Sequence, residues 1–246
     1  MEELQIKKDT HSTIASKNKK ILVVLTGAGI SAESGLRTFR DSDGLWEGYN
    51  VKDVATPGGF RSNPALVLDF YDNRRKDVAA AQPNAAHIGL AELEKDFEVY
   101  IITQNIDDLH ERAGSTHVVH LHGEIFKMRS VKNETKTFEI RGDIHVGDLA
   151  PDGGQLRPFI VWFEEAVPMI EEAARISMTA DLFVVVGTSL QVYPAAGLVD
   201  YAAHEIPKFI IDKKIPYTSS LQNLTIIEKG AGEGVKELKE LLLAYK

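Results

Sequence analysis

Residues 21–40 read ILVVLTGAGISAESGLRTFR. A run of apolar, mostly branched residues stops at Gly27-Ala28-Gly29, the pattern of a buried strand that hands the chain to a tight turn and then a helix. Gly27 to Ala32 matches the loose GxGxxG/A form, in which backbone amides and a helix start receive a pyrophosphate. The same residues serve equally as a plain strand-to-helix turn that needs glycine for its backbone angles. The usual dinucleotide fingerprint also puts an acid about 20 residues on, at the tip of a second strand. Here that distance falls in DSDGLWEGYN (41–50), which has no strand character. A dinucleotide held at this turn is therefore not held as a dehydrogenase holds it.

Similar runs recur at 98–103 (EVYIIT), 117–121 (HVVHL), 182–186 (LFVVV), 208–211 (KFII) and 224–227 (LTII). Their continuous hydrophobicity indicates strands covered on both faces, as in a parallel sheet. Helical patterns lie between them: one opened by Asn63-Pro64, one after Pro83-Asn84, then 165–178, 194–204 and 233–245. The alternation predicts a doubly wound, Rossmann-like α/β domain. Two stretches break the rhythm, 37–80 and 124–157, the latter with short β-like pieces between polar turns, and together they suit a second, smaller domain.

The chain has 246 residues, a net charge of −8 and no cysteine. Its cations are spread along the sequence, which argues against a nucleic-acid reader. The absence of cysteine removes disulfides, a thiolate nucleophile and thiolate-held zinc. No apolar run approaches the ~20 residues of a membrane span, and the first residues lack the apolar block of a secretory signal. The expectation is a soluble, cytoplasmic protein without a membrane partner.

Thr103 to His110 (TQNIDDLH) follows EVYIIT directly, which places Asn105 and Asp107 at the carboxyl edge of the sheet, where doubly wound folds bind ligands. The same residues also suit a helix cap. HLHGE (120–124) ends another strand at that edge, and alternation sets His120 and His122 on one face, a spacing that also suits a metal. No third ligand group accompanies them, whereas a neutral imidazole beside a ribose can take a hydroxyl proton near neutral pH, so His122 is the general-base candidate.

Taken in order, GAGISAESGLRTFR, TQNIDDLHERAG, HLHGE, VWFEE and GTSLQVYPAAGL resemble the sirtuins, the NAD-dependent protein lysine deacylases, from about residue 20 to the C-terminus. The resemblance implies NAD as cofactor and acyl-lysine proteins or peptides as substrates. It assigns Gly27, Ala28, Gly29 and Ile30 to the pyrophosphate and nicotinamide pockets, and Phe39 and Arg40 to a loop over the cofactor. Gln104 and Asn105 would hold the nicotinamide ribose, Asn105 with a water used in catalysis, and Asp107 the nicotinamide amide. Gly187, Thr188 and Ser189 would meet phosphate or adenosine, and Asp212 the adenosine ribose, where an asparagine is usual. His122 matches the general base, and Val161, Trp162 and Phe163 match the segment that pairs with substrate backbone. Tyr71 and Arg74 match the Y-x-x-R of class III members, which grips a carboxylate on the acyl chain, with Ser42 leaving room for it. Succinyl- and malonyl-lysine thereby join acetyl-lysine as expected substrates.

The implied division gives 20–40, 81–123 and 158–246 to the Rossmann-like NAD-binding domain and 41–80 with 124–157 to the small domain, after a polar N-terminal extension at 1–19. Sirtuins usually hold a structural zinc through four cysteines between the HG and VWF motifs. Segment 125–158 has none, so no metal is expected, and Phe126, Met128, Val131, Phe138, Ile140, Ile144, Val146 and Leu149 are the residues available for a small apolar core. Glu164 stands where glycine is usual. Two other functions suit the same pocket: an NAD-linked oxidoreductase, disfavoured by the missing acid, and an ADP-ribosyltransferase or ADP-ribose-binding module, whose known forms tend to lose the histidine present here as His122.

Overall fold

The computed structural model describes residues 19–37, 45–46, 48–216, 218 and 221–246. Phe39, Arg40, Ser42 and nearly all of the 1–19 extension lie outside the described residues. Along the chain come β1 (Ile21–Thr26), α1 (Ala28–Ser31), β2 (Leu45–Trp46), β3 (Tyr49–Asn50), α2 (Val51–Val54), α3 (Pro57–Ser62), α4 (Pro64–Ala80), α5 (Ala85–Glu92) and β4 (Glu98–Thr103). Then follow α6 (Leu109–Ala113), β5 (Val118–His120), β6 (Gly123–Ser130), β7 (Thr137–Glu139), β8 (Leu156–Ile160), α7 (Ile170–Met178), β9 (Leu182–Val186), β10 (Lys208–Ile211), β11 (Leu224–Ile227) and α8 (Ala231–Leu242).

The expected doubly wound sheet is present, in the order β11-β10-β9-β1-β4-β5, and its paired strands all run parallel. Helices α5 and α8 cover one face with Ala86, Leu90, Val235 and Leu238, while α7 and a 3₁₀ segment at Ala195–Tyr201 cover the other with Ala173 and Leu198. Two-sided cover is why the inner strands β1, β4, β9 and β10 read as unbroken apolar runs, whereas the edge strands β5 and β11 stay partly exposed. From central β1 the chain builds outward first through β4 and β5, then through β9, β10 and β11 on the other side. The topological switch therefore lies between the carboxyl ends of β1 and β9, the place where such sheets bind ligands.

The Asn63-Pro64 signal opens α4 as read, with the Asn63 side chain accepting from Leu66 N–H at 3.1 Å. Other boundaries differ. The helix expected at 165–178 begins only at Ile170. Glu165 is drawn back to receive Trp162 N–H at 2.8 Å and two contacts from Arg157 at 2.6 and 3.1 Å, and Pro168 follows. The segment 194–204 forms 3₁₀ turns rather than an α-helix.

β6, β7 and β8 make a separate three-stranded antiparallel sheet that packs on α4. The union of the 41–80 and 124–157 segments is welded by Arg75. Only 1% exposed, it donates to the Ile125 and Gly142 carbonyls, each at 3.0 Å, and to Asp72 at 2.6 Å, while Asp72 accepts from Ile144 N–H. The expected apolar core of this module is only half right. Phe126 and Ile144 are buried and Met128 and Ile140 pack against them, but Val131, Val146 and Leu149 are exposed, Leu149 at 61%. Among the described residues the small sheet packs chiefly on α4, and Val131, Val146 and Leu149 lie on turns outside its strands.

Those turns are tied by polar contacts. The Ser130 hydroxyl donates to Asp152 at 2.8 Å and accepts from Lys132 N–H, Asp152 also receives Gly154 N–H, and the Asn133 side chain accepts from Thr135 and Lys136 N–H. Among the described residues no group of three or more His, Asp or Glu is placed to hold a metal. Chelator treatment is expected to leave the melting temperature unchanged and elemental analysis to find no stoichiometric zinc. A zinc per chain, lost together with the fold on chelation, would overturn this.

Arg157 and Arg129 share Glu165 beneath the VWF segment, with the Arg157 guanidinium 3.2 Å from the centre of the Trp162 ring. Glu165→Ala takes the carboxylate from the buried Arg157 guanidinium and leaves Arg129 with only the exposed Glu134, at 3.6 Å. A loss of about 3–5 kcal/mol in chemical denaturation is expected, and a loss within error would show the cluster to be dispensable.

Candidate active site

A cavity of about 300 Å³ opens at the β1/β9 switch. Its floor is the glycine turn, where Gly27 N–H donates to Val186 O at 3.1 Å and Gly29 N–H to Gly187 O at 2.8 Å, so the loops leaving β1 and β9 lie directly on each other. A Cβ at Gly29 would stand 2.7 Å from Gly187 Cα, and one at Gly187 would fall on the Ile30 backbone nitrogen. Gly187 also has φ +65, the left-handed region that side chains disfavour.

Most residues singled out in the sequence converge here. Gly27, Ala28, Gly29, Gln104, Asn105, Asp107, His122, Gly187, Thr188 and Ser189 line the cavity, as do Tyr71, Arg74, Val161, Trp162 and Phe163. Two do not. Ile30 is fully buried beneath the floor, in the core under the sheet. Asp212 follows β10 at the same sheet edge but outside the cavity wall, its carboxylate accepting Lys214 N–H at 2.9 Å.

The loop after β4 is fixed atom by atom. The Thr26 hydroxyl donates to Thr103 Oγ1 at 2.8 Å, which also accepts Asn105 N–H at 3.0 Å. The Asn105 amide donates to Ser31 Oγ, and Ser31 donates to Asp107, each at 3.1 Å. Burial pushes the Asp107 carboxyl up from the usual carboxylate range, against the pull of the Leu109 N–H and Ser31 bonds. Ser31 and Thr103 were not singled out from sequence, although Ser31 stands inside the quoted GAGIS. The Gln104 side chain reaches across to Thr188 Oγ1 at 3.1 Å, joining the two halves of the sheet over the floor.

His122 lies in the turn after β5 rather than on a strand. Its Nδ1 is 3.0 Å from the Gln104 carbonyl, which can only accept, so Nδ1 carries the hydrogen and Nε2 is the basic nitrogen. Burial lowers its pKa from the usual histidine value, opposed by that carbonyl. His120 is not a metal ligand: Nδ1 faces the Asn105 carbonyl at 3.0 Å and Nε2 faces Glu111 at 2.8 Å.

On the far wall Tyr71 is fully buried, and neither its hydroxyl nor the Trp162 indole N–H meets a partner at hydrogen-bonding geometry. Burial drives the hydroxyl's pKa upward, with Trp162, Arg157 and Arg74 pulling the other way, so it remains a donor. Arg74, 8% exposed, reaches the Arg37 carbonyl at 3.2 Å and sits 5.7 Å from the centre of the Trp46 ring. Of the RRK stretch (74–76) only Lys76 is exposed.

The Sir2 family model matches residues 27–194 of this chain. The chain belongs to the Sir2 family. Its sirtuin relatives include a Bacteroides thetaiotaomicron protein named NAD-dependent protein deacylase, 54% identical over 230 residues, with 91% of this chain and 98% of the relative covered. A Helicobacter pylori protein of the same name is 50% identical over 224 residues, covering 91% and 98%. A solved Sir2 homologue in complex with NAD is 38% identical with a TM-score of 0.82, covering 92% of this chain and 91% of that one. The sirtuin cofactor is NAD, and the cavity suits it. The wall offers the hydroxyls and amides of Ser31, Gln104, Asn105, Thr188 and Ser189, which would suit ribose and amide groups, together with the partly exposed turn at Ala28 and Gly29 and the cations Arg37 and Arg74, which would suit a pyrophosphate. No described helix is long and apolar enough to cross a membrane.

Proposed function

We propose that this NAD-dependent protein deacylase transfers the acyl group of acyl-lysine to ADP-ribose with release of nicotinamide, acting on succinyl- and malonyl-lysine as well as acetyl-lysine. When bound, NAD supplies an electrophilic ribose carbon with nicotinamide as leaving group. Gly27, Ala28 and Gly29 lie against the pyrophosphate, Thr188 and Ser189 against phosphate or adenosine, and Gln104 and Asn105 against the nicotinamide ribose. The Asp107 carboxyl, raised by burial, receives the nicotinamide amide. Val161, Trp162 and Phe163 pair with the substrate backbone and close the site against water. His122 takes a ribose hydroxyl proton on Nε2 while the Gln104 carbonyl holds its tautomer.

The observation that carries the base assignment is the 3.0 Å contact between Nδ1 and the Gln104 carbonyl, which leaves Nε2 basic in a half-buried imidazole. What supports the acyl reading is the unpartnered, fully buried Tyr71 hydroxyl on the same wall as the Arg74 guanidinium. An acyl-chain carboxylate would accept from the Tyr71 hydroxyl and lie beside the Arg74 guanidinium. The test is incubation with NAD and acetyl-, malonyl- or succinyl-lysine peptides. Nicotinamide release that depends on the acyl peptide is expected; NADH absorbance, or ADP-ribose left on protein, would overturn the reading.

A further inference from the structure

The base reading accounts for one histidine of His120-Leu121-His122 and leaves the other without a task. His120 is enclosed, its side chain 9% exposed, and both ring nitrogens are committed. Nδ1 lies 3.0 Å from the Asn105 carbonyl, an acceptor only, so this nitrogen carries a hydrogen. Nε2 lies 2.8 Å from a Glu111 carboxylate oxygen, which also calls for a donor. A ring that donates from both nitrogens is an imidazolium. The two histidines thus grip consecutive carbonyls, Gln104 and Asn105, of one loop, His122 with a neutral ring and His120 with a charged one.

His120 does not face the NAD cavity. It lines a second cavity of about 140 Å³ behind the loop, and Ile106 and Asp107 are walls of both. Every element around it brings charge. Glu111 comes from α6, and Glu124 comes from β6, paired to Lys127 at 2.8 Å. Asp107 and Asp108 come from the loop itself, and Glu139 and Arg141 from the β7 side. Burial lowers the His120 pKa, but Glu111, the Asn105 carbonyl and Glu124 outweigh it and leave it raised. Glu111, which burial alone would raise, is pulled below its usual value by the same bond.

We propose that His120, clamped between Glu111 and the Asn105 carbonyl, is a positioning residue that fixes the Asn105–Asp107 loop against bound NAD. The proposal rests on the assignment of Asn105 and Asp107 to the nicotinamide end of the site. Two histidines two residues apart then need opposite states, His122 neutral and His120 charged. A rise in pH removes the His120 proton and leaves a lone pair facing Glu111, so the clamp opens as pH climbs through the raised value. A fall in pH charges His122 and stops it from accepting a proton. Activity is bounded on the acid side by one ring and on the alkaline side by the other.

The test uses Glu111→Gln, near-isosteric, in the full chain. Histidine ring NMR should show the His120 midpoint falling by roughly 1–2 pH units. Calorimetric NAD affinity, measured across pH without any peptide, should weaken by up to roughly tenfold per unit of that displacement above both midpoints, and should converge on wild type well below them. The alkaline limb of kcat/KM should move down with the midpoint while the acid limb stays. An unmoved His120 midpoint, an unmoved affinity profile, or an equal loss at every pH, as a merely structural role would give, overturns the proposal. If no acyl peptide is turned over at all, the deacylation chemistry fails while the affinity arm still decides the role of His120.

Discussion

His122→Ala is expected to lower acyl-peptide-dependent nicotinamide release by roughly 10²–10⁴, the contribution of a positioned acid or base, with NAD affinity retained. The reasoning is geometric. The imidazole touches the protein through Nδ1 and the Gln104 carbonyl, and neither the Gly27–Gly29 floor nor the Thr26–Thr103–Asn105 chain depends on it. Truncation therefore removes the base and leaves the cradle intact. Calorimetry with NAD alone and turnover with a saturating peptide separate the two quantities, and wild-type turnover in the variant would remove His122 from the chemistry.

Arg74→Met is expected to abolish removal of succinyl and malonyl groups and spare that of acetyl. Two charge-assisted bonds to a carboxylate, each about 1.5–3 kcal/mol, correspond to roughly 10²–10⁴ in kcat/KM for the acidic acyl chains. Methionine keeps much of the apolar stem on the wall with Trp46 and supplies no donor. Tyr71→Phe should give a smaller loss in the same direction, since it removes one hydroxyl. Acetyl-lysine is the internal control for damage to the fold. If all three acyl groups fall equally in Arg74→Met, or if acetyl-lysine is preferred by orders of magnitude in the wild type, Arg74 does not read the acyl chain.

What the sequence disclosed follows from how far each interaction reaches. The inner strands β1, β4, β9 and β10 were legible because two-sided burial writes itself as an unbroken run, the half-exposed edge strands β5 and β11 because their short runs are still rich in branched residues, and α4 because Asn63 and Pro64 act on their own first turn. The site was legible where it hangs directly on strand ends, as at Gly27, Gln104, Asn105 and Gly187. It was not legible where the partner is distant in sequence. Arg129 meets Glu165 from 36 positions away, Arg75 meets Ile125 from 50, and neither pairing leaves a trace in local periodicity. Leu149 misled for the complementary reason, because apolar character says that a side chain favours burial but not whether a neighbouring layer exists to bury it. Ile30 misled through its neighbours: it belongs to the glycine motif in sequence and to the core in space.

The mutual contact of the Gly29 and Gly187 loops constrains how this enzyme can diverge. Ordinary epistasis lets one substitution make room for another, but here each glycine is confined by the other's main chain, and a backbone cannot be trimmed to accommodate a new methyl group. No order of replacements passes through a tolerated intermediate, so the two positions are fixed jointly rather than separately. Retooling toward a different dinucleotide, in nature or in the laboratory, must leave this seam alone and proceed through the side chains around it, such as Thr188, Ser189 and Gln104, whose hydroxyls and amide can be exchanged one at a time.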